Sequence, residues 1–230
     1  MPKKTMVISI TNLKGGVGKT TIATNLAVEL KRRDYEVCIV DTDLGQQSSM
    51  EWAGNRSESL PAVPVYGVSI KQLNKEVAEL QKKYAFVIID GTPQLSELAD
   101  RTILASDLLL IPLTPSIYDY RGFENFLERF EQVKGLKEAN GDQVSAHVVL
   151  NRVVPNSNVS RDIADAVREY EIDILKTRLV SRVAYVDSAS EGKGVVEYKD
   201  KKAIAEIEAL TEELLAAIQK NAVESQKTTA

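Results

Sequence analysis

From Lys14 to Thr20 the chain reads Lys-Gly-Gly-Val-Gly-Lys-Thr, and three carboxylates, Asp41, Asp43 and Asp90, follow apolar runs further on. Glycines in that arrangement suit a phosphate chain. Gly15, Gly16 and Gly18, with Val17 among them, let backbone N–H groups close around phosphate oxygens. The N-terminus of a following helix adds a favourable dipole. Lys19 would reach the outer phosphates, and the hydroxyl of Thr20, next to Thr21, would ligate Mg²⁺. Carboxylates at the C-terminal ends of parallel strands face the crevice where a nucleotide sits. That describes Asp90 after Phe86-Val87-Ile88-Ile89, and Asp41-Thr42-Asp43 after Val37-Cys38-Ile39-Val40.

These residues need a scaffold that brings strand ends together, and the rest of the sequence supplies one. Short apolar runs alternate with helical patterns, the rhythm of βαβ units and a mostly parallel sheet. The strands expected are Met6 to Ile10, Val37 to Val40, Val63 to Tyr66, Phe86 to Ile89, Leu108 to Ile111 and His147 to Leu150. Several are apolar at nearly every position, as in strands covered on both faces. Helical stripes fall at Ile22, Leu26 and Leu30, at Leu73, Val77 and Leu80, and at Phe123, Phe126, Leu127 and Phe130. The expected fold is α/β: one domain, residues 1–220, with a twisted, mostly parallel sheet flanked by helices. A polar tail is expected over 221–230. The last helix, about Ala203 to Gln219, carries Ile204, Ile207, Leu210, Leu214 and Ile218 on one side and Glu206, Glu208, Glu212 and Glu213 on the other. That acidic side has the wrong sign for an anionic membrane surface, so the helix is expected to pack on the domain.

Composition narrows the classes. The 230 residues carry a net charge of −4, which argues against a generally basic nucleic-acid coat but leaves room for a local patch. The lone Cys38 excludes an internal disulfide and a multi-cysteine metal site, and its apolar neighbours predict a buried thiol. The N-terminus shows no signal-peptide stretch, and no run approaches the ~20 apolar residues that span a bilayer. A cytoplasmic protein is expected.

One departure from the ordinary phosphate-loop template is informative. Leu13 stands where the template has its first glycine, and a second lysine, Lys14, precedes the glycine pair. Asn12 to Thr21 therefore resembles the deviant phosphate loop of the ParA/MinD ATPases, most closely the small ParA-type partition ATPases. The resemblance implies ATP and ADP with Mg²⁺ as cofactors, and a homodimer in the ATP state in which Lys14 reaches the partner's nucleotide. MinD proteins generally keep a glycine at the position of Leu13. By the same resemblance Asp90 holds Mg²⁺ directly or through water, and Asp43, the second carboxylate of the Asp41-Thr42-Asp43 motif, orients the attacking water beside the metal. Gly91-Thr92-Pro93-Gln94 resembles the turn that senses the terminal phosphate. The family continues its DxD motif with Pro-Gln-Gly-Ser. Here the loop reads Leu44-Gly45-Gln46-Gln47-Ser48, without the proline and one residue longer. Thr114-Pro115 resembles a strand-end motif near the nucleotide, and Asn151 of Leu150-Asn151-Arg152 resembles the asparagine that contacts adenine.

Between Lys176 and Lys202 the chain carries a local excess of three positive charges. Composition alone reads this as a solvated face. The resemblance of Arg182-Val183-Ala184-Tyr185 and Glu191-Gly192-Lys193 to the C-terminal segment of small ParA proteins implies backbone contacts to DNA without sequence preference, with Arg178 and Arg182 the first candidates. Only thirteen residues precede Lys14, too few for a helix-turn-helix domain. Recognition of a specific site would then fall to a ParB-type centromere-binding partner that stimulates slow hydrolysis. The implied function is plasmid or chromosome segregation by a nucleoid-associated ATPase without a membrane partner. A MinD-like or cargo-positioning ATPase is the alternative. An iron protein of the nitrogenase type would need paired cysteines, and an ATP-dependent ligase of the dethiobiotin-synthetase kind lacks a lysine like Lys14.

Overall fold

The computed structural model describes residues 5–92, 97–155, 158–170 and 172–228. In chain order the strands are β1 (Met6–Ile10), β2 (Val37–Asp41), β3 (Val65–Gly67), β4 (Phe86–Asp90), β5 (Leu108–Leu113), β6 (Ser145–Val153) and β7 (Asp173–Val180). The helices are α1 (Lys19–Arg32), α2 (Ser48–Gly54), α3 (Leu73–Leu80), α4 (Glu97–Ala105), α5 (Ile117–Ala139), α6 (Asn158–Arg168), α7 (Val183–Ser190) and α8 (Lys201–Thr228). All seven strands join one parallel sheet in the order β3-β2-β4-β1-β5-β6-β7. The α/β layering matches the expectation from sequence. No helix among the described residues is long and apolar enough to cross a membrane.

Alternation along each strand divides the core between two faces. Ile8, Ile10, Ile39, Ile88 and Leu110 face the layer that holds Leu26 of α1, Tyr185 of α7, and Ile207 and Leu210 of α8. Val7, Cys38, Val40, Val87 and Ile89 face Leu73, Val77 and Leu80 of α3. Leu109, Ile111 and Val148 meet Phe123 and Phe126 of α5 on that second side. Burial pushes the Cys38 thiol up to about 12, so it is an inert packing group.

β3, β7 and α8 depart from the sequence expectation in ways that bear on the packing. β3 starts at Val65 and not at Val63, because Pro64 has no N–H to give; its carbonyl still accepts from the Ile39 N–H at 2.9 Å. β7 was not anticipated, since Asp173, Lys176 and Arg178 interrupt its apolar residues. An edge strand exposed on one face tolerates that alternation. α8 runs to Thr228, beyond the Asn221 at which a tail was expected.

The acidic side of α8 is occupied, and each of its four carboxylates has a partner. Glu213 accepts from the backbone N–H groups of Lys176 (2.6 Å) and Thr177 (2.9 Å), and Glu206 from that of Val180 (3.2 Å). Glu208 pairs with Arg32, and Glu212 with Arg33 at 3.5 Å. Arg32 and Arg33 also neutralise Glu29, whose side chain is wholly buried on α1. On the apolar side Ile207, Leu210 and Leu214 are buried, each worth about 1.5–3 kcal/mol relative to exposure. α8 therefore packs on the domain, as its stripe predicts.

Candidate nucleotide site

β1 and β4 lie side by side in the middle of the sheet, with β2 next to β4, so the residues that follow their C-terminal ends share one edge. Asp41 and Asp90 are register partners on β2 and β4. Between them and the N-terminus of α1 lies a cleft of about 210 Å³. It is lined by Gly15, Gly16, Gly18, Lys19, Thr20, Thr21, Asp41, Asp43 and Asp90, all singled out from sequence, together with Gln46, Ser48, Gly91 and Arg152.

The loop between β1 and α1 is held from several directions. Asn12, fully buried, donates to the carbonyl of Pro112 on β5 (2.7 Å) and accepts from the Lys14 N–H (3.0 Å), fixing where the loop begins. Gly16 and Gly18 have φ of 75° and 91°, a region that favours glycine. A Cβ on Gly18 would also stand 2.3 Å from the side-chain nitrogen of Asn151. Lys19 is buried, and its ammonium donates to the carbonyl of Lys14 at 3.0 Å, curling across the loop where a phosphate would lie. Burial lowers its pKa, and the charges of Asp90 and Asp43 act the other way. Leu13 packs against the α5 side of the core.

The carboxylates divide the work. Oδ1 of Asp41 accepts from the Asp43 N–H (3.0 Å), and Oδ2 from the Ser49 (3.0 Å) and Met50 (3.4 Å) N–H groups. Asp41 thus caps α2 from a neighbouring strand, a task that Gln47 at the helix start does not perform. Burial raises the pKa of Asp41, and those three donors oppose the rise. Asp43 turns the altered loop: Oδ1 accepts from Gln46 N–H (3.1 Å), and its carbonyl accepts from Gln47 N–H (2.7 Å). Gln47, where the loop enters α2, adopts φ of 50°.

Asp90, like Asp41, is buried. Its Oδ2 accepts from the hydroxyls of Thr20 (2.7 Å) and Ser49 (2.6 Å), while Oδ1 is buried with no hydrogen-bond partner among the described residues. Burial pushes this carboxyl up to about 6, against the pull of the two hydroxyls and Lys19. An orphaned carboxylate oxygen beside a threonine hydroxyl is a hard-oxygen donor set that fits Mg²⁺. No cluster of three or more His, Cys, Asp or Glu side chains among the described residues could hold a metal alone. Mg²⁺ needs none, since it binds through one or two protein groups plus phosphate and water.

The remaining sequence candidates lie outside the cleft lining. Asn151 is buried behind the loop, its amide donating to the carbonyl of Val17 at 2.7 Å. Pro115 follows β5 and is half-buried. Pro93 and Gln94 of the phosphate-sensing turn lie outside the described residues. Arg178 is exposed on β7, whereas Arg182 is tied to Glu206. Nothing in the sequence assigns Arg152 a role. It enters the cleft because the β6–β7 pairing shifts register between Leu150 and Val153 and its φ is 54°, a bulge that re-aims the side chain.

Comparison with known proteins agrees with this geometry. The chain is 27% identical over 216 residues to the maintenance of carboxysome distribution protein A of Halothiobacillus neapolitanus, covering 92% of this chain and 97% of the relative. It is 24% identical over 240 residues to the sporulation initiation inhibitor protein Soj of Bacillus subtilis, covering 87% and 94%. Among solved structures, apo McdA of Cyanothece superposes with a TM-score of 0.77 at 20% identity over 91% of this chain and 99% of that one. The cell division ATPase MinD of Pyrococcus furiosus superposes with a TM-score of 0.73 at 23% identity, covering 92% and 99%. Residues 8–196, from the first strand through the turn beyond α7, match the model of one family, and the chain belongs to it: the CobQ/CobB/MinD/ParA nucleotide-binding domain family.

Proposed function

We propose that this chain is a ParA-type partition ATPase, a switch that dimerises on ATP, binds DNA without sequence preference and resets by slow hydrolysis. The observation that carries the reading is the convergence of Lys19, Thr20, Asp43 and Asp90 on one cleft, with the additional lysine Lys14 just before the glycine pair in sequence. In this reading the backbone of Gly15 to Thr21 cradles the phosphates and Lys19 neutralises them. Thr20 and Asp90, with Asp43 at the water side, hold Mg²⁺. Asp43 orients the attacking water, and Lys14 supplies charge to the nucleotide of a second copy. Asn151 and Pro115 are assigned to the base side. Arg178 and Arg182 carry the DNA contacts, and a ParB-type adaptor stimulates turnover while the dimer sits on the nucleoid.

The carboxysome distribution relative favours a second reading, in which the same switch positions a protein cargo. The deciding measurement is duplex-DNA binding with and without ATP and Mg²⁺, run beside pelleting with anionic liposomes. ATP-dependent binding to unrelated duplexes supports the proposal. Indifference to DNA together with pelleting on liposomes would replace it by a MinD-like membrane role.

A further inference from the structure

Ser49 has no role in the reading above, yet it touches both buried carboxylates. It is fully buried, its hydroxyl donates to Oδ2 of Asp90 at 2.6 Å, and its N–H donates to Oδ2 of Asp41 at 3.0 Å. The oxygen of Asp90 that takes the Ser49 hydroxyl also takes that of Thr20, at 2.7 Å. Two donors on Oδ2 fix the rotation of the carboxylate about its Cβ–Cγ bond. They leave Oδ1, buried and with no partner among the described residues, as the oxygen still able to take a metal ion. With Thr20 alone, that rotation would be free on one side.

The helix that carries Ser49 is clasped at its other end. Three residues along α2, the indole Nε1–H of Trp52 donates to the carbonyl of Lys193 at 3.2 Å. Arg56 lies 5.4 Å from the centre of the Trp52 ring, donates to the Gly192 carbonyl at 2.9 Å and pairs with Glu197 at 2.6 Å. Gly192 fits only as glycine: φ is 65°, and a Cβ would stand 2.3 Å from the Arg56 nitrogen. The same turn is pinned to α1, since the Val195 N–H donates to Asn25 at 2.7 Å. Residues 192–197 lie immediately after α7, whose N-terminal residue follows Arg182. A short rigid helix therefore spans the distance from Asp90 to the support of the α7 surface.

We infer that Ser49 is a positioning residue that aims Asp90 at the metal, and that α2 conveys occupancy of that site to the Gly192–Glu197 turn. The inference rests on Thr20 and Asp90 forming the metal edge of the cleft. Groups that orient a metal-binding carboxylate typically contribute about 10–100-fold to metal affinity. A hydroxyl that only satisfied a buried oxygen would affect stability and leave metal affinity alone.

The test is a Mg²⁺ titration of the ADP complex, read by calorimetry and by emission of Trp52, the single tryptophan of the chain. The wild type is expected to bind ADP more tightly as Mg²⁺ is added, with a change in Trp52 emission. Ser49→Ala is expected to bind ADP in excess EDTA as the wild type does. Its half-saturating Mg²⁺ concentration should rise about tenfold, with the emission change shifted equally. Ser49→Cys keeps the side-chain volume but offers only a weak donor, and serves if Ser49→Ala does not fold. Wild-type Mg²⁺ titrations in both variants overturn the positioning role. A Trp52 emission blind to Mg²⁺ in the wild type overturns the conveying role of α2. Were wild-type ADP affinity itself indifferent to Mg²⁺, the metal-edge reading would fall first, and this inference with it.

Discussion

Arg182 places two guanidinium N–H groups on a single oxygen of Glu206, at 2.9 Å from Nε and 2.6 Å from Nη2. The other oxygen of Glu206 accepts from the Tyr185 hydroxyl (3.0 Å) and the Val180 N–H (3.2 Å). Hydrogen bonding to Glu206 raises the pKa of Arg182 further, so its charge is permanent and already matched within the chain. A DNA phosphate would have to share Arg182 with that carboxylate. Arg178, exposed on β7, has no such competitor among the hydrogen bonds and ion pairs described above.

Arg178→Ala is accordingly expected to weaken ATP-dependent DNA binding more than Arg182→Ala, and equally for all sequences. Each lost phosphate contact should flatten the log-log salt dependence by about one unit. Glu206→Gln should act oppositely and raise affinity, since it leaves Arg182 uncompensated. Fluorescence anisotropy over a salt series measures all three. Unchanged binding in the Arg178→Ala, Arg182→Ala double variant would move the DNA surface elsewhere.

Lys14 and Lys19 should separate cleanly. Lys19→Ala removes the ammonium that crosses the loop and is expected to abolish nucleotide binding. Lys14→Ala should bind ATP within one subunit but fail to dimerise, as followed by light scattering with ATP and Mg²⁺. ATP-driven dimers of Lys14→Ala at wild-type strength would end the cross-subunit role.

Asp43→Ala is expected to bind ATP and dimerise, yet turn over more slowly by about 100-fold or more. Because Asp43 also turns the loop through Gln46, circular dichroism must first show an intact fold. Single-turnover hydrolysis at the wild-type rate would pass the role to Asp41, although one of its oxygens is already taken up by α2 and the other by the Asp43 N–H.

His147 sets a pH limit on stability. It is buried on β6, with Nε2 lacking a partner among the described residues and Nδ1 3.8 Å from the Asp173 carboxylate. Burial lowers its pKa, ahead of the opposing pull of Asp173 and Glu213 and the reinforcing push of Lys220. The unfolded chain therefore binds this proton more readily than the folded one. Stability is full above the ordinary histidine value of about 6.5 and falls as pH drops through it towards the lower folded value. Melting temperatures from about pH 7.5 to about pH 5.5 should fall more for the wild type than for His147→Gln. Parallel slopes would remove His147 as the cause.

The site was legible where its chemistry is local. Lys14 to Thr20 is contiguous, and Asp41 and Asp90 declare themselves by ending apolar runs that can only be buried strands. What escaped depends on pairings between distant segments. The contact of Asn151 with Val17 spans 134 residues, and Arg152 reaches the cleft only through a register shift against β7, a strand itself hidden by its charged residues. Nothing near Ser49 in sequence marks Asp90 as its partner 41 residues on. The glutamates of α8 mark a polar side in the sequence, but their partners, the backbone of β7 and the arginines of α1, come from distant segments.

Those glutamates have a consequence for assembly. A parallel sheet ordinarily leaves a row of amides on its outer strands, and identical molecules can stitch themselves together there, edge to edge, into fibres. Here one margin is β3, only three residues long, and at the other Glu206 and Glu213 take up three amides of β7. Sheet-to-sheet growth finds little purchase at either side. Any meeting of two copies is left to the edge that holds the cleft or to the helices.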